Sequence, residues 1–270
     1  MSYSKMTLDY MRRNFLKSMA TLFIPAVILG LLLEPLSILE IIVSVGRKDN
    51  TYNSFIEIFA KLNGFTSAGR LVLILFALIL TIVAVSISSG YNRQRMRYGT
   101  ESKSLNVGEY FNDHFLPIVK YAIVIFISLE LVAILLSTFL YTAIKLFDNT
   151  FAACLILAII FILIELYFVS LTLLCVPNMT MKGYGVLKSL GQSIYMIFSK
   201  SAKIFFGILW MMVLLMVPTI LIISFPFENM KYVLKIFSCL FYWVMISYLS
   251  VMNYVVYFDV EELEREDLKV

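Results

Sequence analysis

Six long apolar runs separated by short polar stretches organise the chain. They cover roughly Met19–Val45, Leu71–Ser89, Pro117–Phe147, Phe151–Val176, Ala202–Phe225 and Val233–Phe258. None alternates with the period of two that a membrane barrel strand needs. About 20 mostly apolar residues carry a helix across the hydrocarbon core, and all six runs are near that length or above it. The longer ones are expected to tilt or to extend past the interface. Lipid offers no partner to a free N–H or C=O, so each run is expected to be helical. The pattern predicts an all-α, polytopic integral membrane protein with six transmembrane helices.

Between the runs lies a second helical pattern. Leu8, Met11 and Phe15 fall at i, i+3, i+7, and Val107, Phe111, His114 and Ile118 at i, i+4, i+7, i+11. Leu187, Leu190, Ile194 and Ile197 do nearly the same. Such segments read as amphipathic helices along the inner face, apolar side inward and basic side to the headgroups. Two of them also share a motif. Asp9-Tyr10-Met11 with Phe15-Leu16 returns one hundred residues later as Glu109-Tyr110-Phe111 with Phe115-Leu116. Gly191-Gln192-Ser193-Ile194 with Phe198 and Lys203 is a weaker third copy. The chain therefore divides into three units of amphipathic helix plus helical hairpin, about 1–90, 91–176 and 177–258. An acidic tail, 259–270, completes a single membrane domain.

Composition agrees and excludes other classes. Of 270 residues 61% are hydrophobic and only 15% charged, with a mean hydropathy of +0.89. A soluble domain is nearer half apolar and about a quarter charged, so disorder and an ordinary cytosolic enzyme are ruled out. Fifteen of the 22 basic residues fall in segments 1–18, 90–120, 177–203 and 259–270. The positive-inside rule then puts both termini in the cytoplasm. The first run is too long, and lacks the small-residue site, for a cleaved signal peptide. The net charge of +4 is spread along the inner loops and points to an anionic inner leaflet, not to nucleic acid. Arg12, Arg13, Arg93, Arg95, Arg97, Lys182 and Lys188 are the candidate headgroup contacts. Cys154, Cys175 and Cys239 are scattered through the spans and suggest packing, neither disulfides nor metal.

Candidate chemistry rests on carboxylates inside the runs. Glu34, Glu130 and Glu165 come out broadly mid-membrane and Glu40 nearer the outer surface, with no Lys, Arg or His at matching depth. An ionisable group in hydrocarbon is a functional hypothesis by default, and apolar surroundings favour its protonated form. Such a cluster can couple transport or hold a cation. A protonated Glu can also simply hydrogen-bond a neighbouring helix and serve packing. Pro35, beside Glu34, is a candidate kink at an acidic residue, as Pro218 is in the fifth span. His114, the only histidine, reads as an interfacial anchor. In the outer loop, Phe55, Ile56, Phe59 and Leu62 form a stripe expected to make a surface helix. The tail, rich in Glu261, Glu262, Glu264 and Glu266, is expected to be solvated and pushed into the cytoplasm.

The span that leads into a basic, Gly- and Ser-containing inner loop, then an aromatic helix re-entering through a Lys, is carried by Arg97-Tyr98-Gly99, Ser104, Phe111 and Lys120. Lys182, Gly183, Tyr184, Gly185, Lys188, Ser189 and Lys203 carry it again. This layout resembles bacterial six-span proteins related to the membrane domain beside some glycerophosphoryl diester phosphodiesterases. In those enzymes the chemistry sits in a separate soluble barrel. These residues contain no such barrel, so the resemblance implies a fold and no activity. There is also no Walker loop, H-E-x-x-H, G-x-S-x-G or Rossmann glycine pattern, and no cofactor or metal is called for.

The sequence thus favours a non-enzymatic inner-membrane protein working through a membrane or cytoplasmic protein partner. The alternative is a small proton- or cation-coupled secondary transporter or channel using Glu34, Glu130 and Glu165. An intramembrane lipid-processing enzyme is a third reading, without the nucleophile–base or metal cluster it needs. Homo-oligomers are compatible with all three.

Overall fold

The computed structural model describes residues 2–33, 41–42, 54–64, 67–99, 107–146, 150–224 and 230–268. Every element among them is helical. In chain order they are α1 (Tyr3–Arg13), α2 (Phe15–Leu32), α3 (Phe55–Asn63), α4 (Ala68–Tyr98), α5 (Val107–Leu146), α6 (Thr150–Thr172), α7 (Cys175–Lys182), α8 (Val186–Ile197), α9 (Ser201–Ser224) and α10 (Met230–Val260). One 3₁₀ turn, Phe198–Lys200, joins α8 to α9, and another, Glu266–Leu268, closes the described tail. Five helical stretches are long and apolar enough to cross a membrane. The pair α1–α2, bent by 99°, makes a sixth if it is counted as one span.

The long helices pack in chain order and close on themselves. α2 lies against α4, α4 against α5, α5 against α6, α6 against α9, α9 against α10, and α10 returns to α2. Two close approaches show how helices associate where lipid removes the hydrophobic drive and small residues let backbones meet. A Cβ on Gly30 would run into the backbone of Cys239. One on Gly90 would lie 2.6 Å from the Cβ of Tyr110. The main core gathers around the second half of α10, where Tyr248, Val251, Met252, Tyr254, Val255 and Val256 are fully buried. α1 folds across this end and adds Tyr3, Tyr10 and Met11.

Local chemistry sets the breaks. Asn14 parts α1 from α2, its side-chain amide donating to Tyr10 O at 3.2 Å. Pro177 lies in the first turn of α7, where its missing N–H costs nothing. A helix running straight on would drive that ring against the carbonyl of Leu173, and the chain breaks at Leu173–Leu174. Ser193 of α8 takes up the freed groups: Leu174 N donates to its hydroxyl at 3.0 Å, and the hydroxyl donates to Leu171 O at 2.7 Å.

Three expectations need correction. The 107–116 segment is no separate surface helix; it is the first turns of α5, a continuous helix of 40 residues, and His114 is buried, not anchored at a surface. In α3 the stripe is rotated. Ile58 is fully buried while Ile56 is exposed, because α3 packs on α5 and Ile58 enters a core with Leu136 and Leu140; the capping box of Ser54 and Glu57 and the left-handed Gly64 set where the helix starts and stops. The tail is only partly solvated: Arg265 and Asp267 are buried, and the 3₁₀ turn rests on the end of α4.

Candidate functional site

Four of the long helices and α7 line a partly open cavity of about 220 Å³. Each wall is a stripe at helical spacing. α5 gives Ile118, Tyr121 and Ile125; α6 gives Val169, followed by Leu173 and by Val176 of α7; α10 gives Ile246, Leu249, Ser250 and Asn253. α4 closes the space with Val85 and Ser89. The lining is mostly apolar, and its polar groups are unequally satisfied. Tyr121 and Thr172 share a hydrogen bond at 3.2 Å, and Ser250 donates to Ser247 O at 2.9 Å. The Ser89 hydroxyl and the Asn253 carbonyl oxygen are buried and have no hydrogen-bond partner among the described residues. Helical serines usually bond back to a carbonyl one turn earlier, as Ser86 does to Ile82 O at 2.7 Å. Ser89 does not. A buried polar group left unpaired costs about 1–3 kcal/mol. Apolar cavities of about 150 Å³ already take a benzene-sized molecule.

The intramembrane carboxylates are not brought together. Glu165 accepts from Ser128 at 2.8 Å, α6 to α5. It lies at i−4 from Val169, one turn beyond the cavity on the face that lines it. Glu130 accepts from the Asn63 amide of α3 at 3.2 Å. Ser128 and Glu130 are two positions apart on one helix, hence on nearly opposite faces. Glu34, Glu40 and Pro35 lie outside the described residues. Among the described residues no three His, Cys, Asp or Glu side chains could share a metal ion.

The basic candidates gather at the end that carries both termini. Arg93 pairs with Asp113 at 3.7 Å, and Arg95 donates to Gly99 O at 3.0 Å. Arg97 lies over the Tyr98 ring. Lys182 pairs with Glu261 at 2.8 Å, and Lys188 sits 4.2 Å from the centre of the Tyr184 ring. Arg12 and Arg13 are exposed. Around them a polar knot ties α1 to the end of α10. Tyr3 donates to Asp259 at 2.6 Å and Lys200 to the same carboxylate at 2.9 Å. Tyr10 donates to Asn92 at 3.3 Å. Arg265 holds Asp267 through two bonds of 3.1 and 2.8 Å. His114 is buried, with Nδ1 3.1 Å from Tyr110 O.

Ser89, Asn253 and Tyr121 carry no charge, so nothing sets them apart in the sequence as charge does the intramembrane carboxylates. The signal was there as uncharged polar residues inside apolar runs: Ser86, Ser88, Ser89 and Asn92 in one, Asn253 in another. No protein family, curated protein or solved structure matches the chain.

Proposed function

We propose that this chain is a non-enzymatic multi-pass membrane protein that takes a small, largely apolar solute into its helix circuit, as a small secondary carrier. The cavity with the unpartnered Ser89 and Asn253 carries this reading. The solute is apolar for most of its surface and offers a hydrogen-bond donor to Asn253. Glu165, one turn beyond on the lining face, is the proton-exchanging group; Glu130, tied to Asn63, serves packing. In this reading α1–α2 is the first of six crossings in three units, the termini are cytoplasmic and the membrane is a bacterial inner one. The resemblance to the phosphodiesterase-associated domain supports six spans and adds no activity.

A second reading is action through a protein partner. It draws on α8 and the turn after it, where Leu187, Tyr195 and Phe198 are 85%, 82% and 70% exposed.

The test is gentle extraction followed by native mass spectrometry. The carrier reading expects about one small molecule retained per chain and lost in Ser250→Phe, which fills the cavity. In proteoliposomes a gradient of that molecule then drives proton uptake that Glu165→Gln abolishes and Glu130→Gln spares. An empty wild type, or a Ser250→Phe variant that keeps the molecule, removes the carrier. A stoichiometric protein in its place establishes the partner reading.

A further inference from the structure

A second concavity lies outside the helix circuit, where α1 folds across α9. It is a groove of about 800 Å³. Its floor is Gly207, where a Cβ would stand 2.8 Å from Ser4 Oγ. Tyr248 fixes that spot from the other side by donating to Gly207 O at 3.2 Å. The crossing is therefore a built junction of three helices, not a chance gap between two.

The walls change character along the membrane normal. On α9, Lys203, Phe206 and Trp210 fall at i, i+3, i+7 and share one face. On α1, Lys5 and Leu8 are a turn apart and line the same groove. Both lysines are exposed, and neither has an ion-pair partner among the described residues. The other charged groups nearby are Asp9 on the rim and Asp259, which is engaged by Tyr3 and Lys200. Beyond the lysines, Phe206 and Trp210 are each 63% exposed. Cations at one end and bare aromatic surface towards the spans match the two ends of a phospholipid.

We propose that this groove seats one phospholipid with an anionic headgroup, its phosphate at the Lys5–Lys203 end and an acyl chain along Phe206 and Trp210. The site is separate from the interior cavity and stands whether or not that cavity carries a solute. A zwitterionic lipid fits less well, because its ammonium adds positive charge beside two lysines and only one free carboxylate.

The chain has two tryptophans, so Trp243→Phe leaves Trp210 as the sole fluorophore in the groove. In vesicles of phosphatidylcholine carrying a minor fraction of brominated lipid, brominated phosphatidylglycerol should quench Trp210 more strongly than brominated phosphatidylcholine at the same fraction. A surface lysine contributes about fivefold to anionic-lipid affinity. Lys5→Gln with Lys203→Gln should therefore cost roughly thirtyfold and remove the difference, while Lys120→Gln with Lys145→Gln, the same loss of charge away from the groove, leaves it in place. Equal quenching by the two lipids, or an equal loss in the control pair, overturns the proposal. Native mass spectrometry of the unaltered protein, delipidated and offered phosphatidylglycerol and phosphatidylcholine, gives the second readout. One phosphatidylglycerol retained per chain supports the seat; no preference sinks it even if a variant misfolds.

Discussion

The two ends of the bundle are held by different means. At the end bearing the termini, α10 is buried on all sides and a knot of hydrogen bonds and ion pairs runs over it from Tyr3 to Asp267. At the far end a smaller core forms around Ile58, Leu136, Leu140 and Cys154. There the polar contacts mostly finish a helix: Arg70 donates to Leu32 O at 2.6 Å and Lys235 to Leu31 O at 2.7 Å. Cations suit these last carbonyls of α2. The near end is held by polar contacts over a buried helix, while in the other half the helices meet through an apolar core and the close backbone approach at Gly30.

The largest effect should come from spoiling that fit. Gly30→Val forces α2 away from Cys239 and should cost about 3 kcal/mol or more. It should be seen as a lowered Tm in detergent, whereas Gly191→Ala, with open space around it, changes little. Next is Arg265→Ala, which leaves Asp267 buried without its cation. Stripping one partner from a buried pair costs roughly 3 kcal/mol. The tail can avoid this by detaching, so the sharper measurement is proteolysis between 261 and 268, expected to accelerate while Tm of the spans holds.

The smallest effect should come from Lys235→Met, which takes the cation from the Leu31 carbonyl at the far end. A charge at a helix C-terminus is worth about 0.3–1 kcal/mol, so Tm in detergent should fall only slightly. Hydrogen exchange at the end of α2 should rise before exchange in α1; an unchanged exchange pattern assigns no stabilising role to that contact.

Much of this architecture was legible in the residues, because apolar runs of sufficient length leave helices as the economical solution. What escaped was register and continuity. Ile58 replaces Ile56 as the inward residue of α3 because the face that α5 covers, not the hydrophobic count within α3, sets its rotation. The repeat motif at Glu109–Leu116 marked a helix but could not say that it flows unbroken into the span. Arg265 and Asp267 read as solvated charges because their pairing depends on Tyr10 and the end of α4, far away in sequence. The cavity was harder still. Ser89 and Asn253 are unremarkable alone, and only the convergence of five helices makes them a pair of unmet groups.

The break at Leu173–Leu174 has a mechanical consequence. Through Ser193, α8 is fastened both to Leu171 at the end of α6 and to Leu174 at the start of the break. The joint is thereby braced by a third helix. Val176, just beyond it, is a wall of the cavity, so that wall is held in place by α8 as well as by the chain that leads into it.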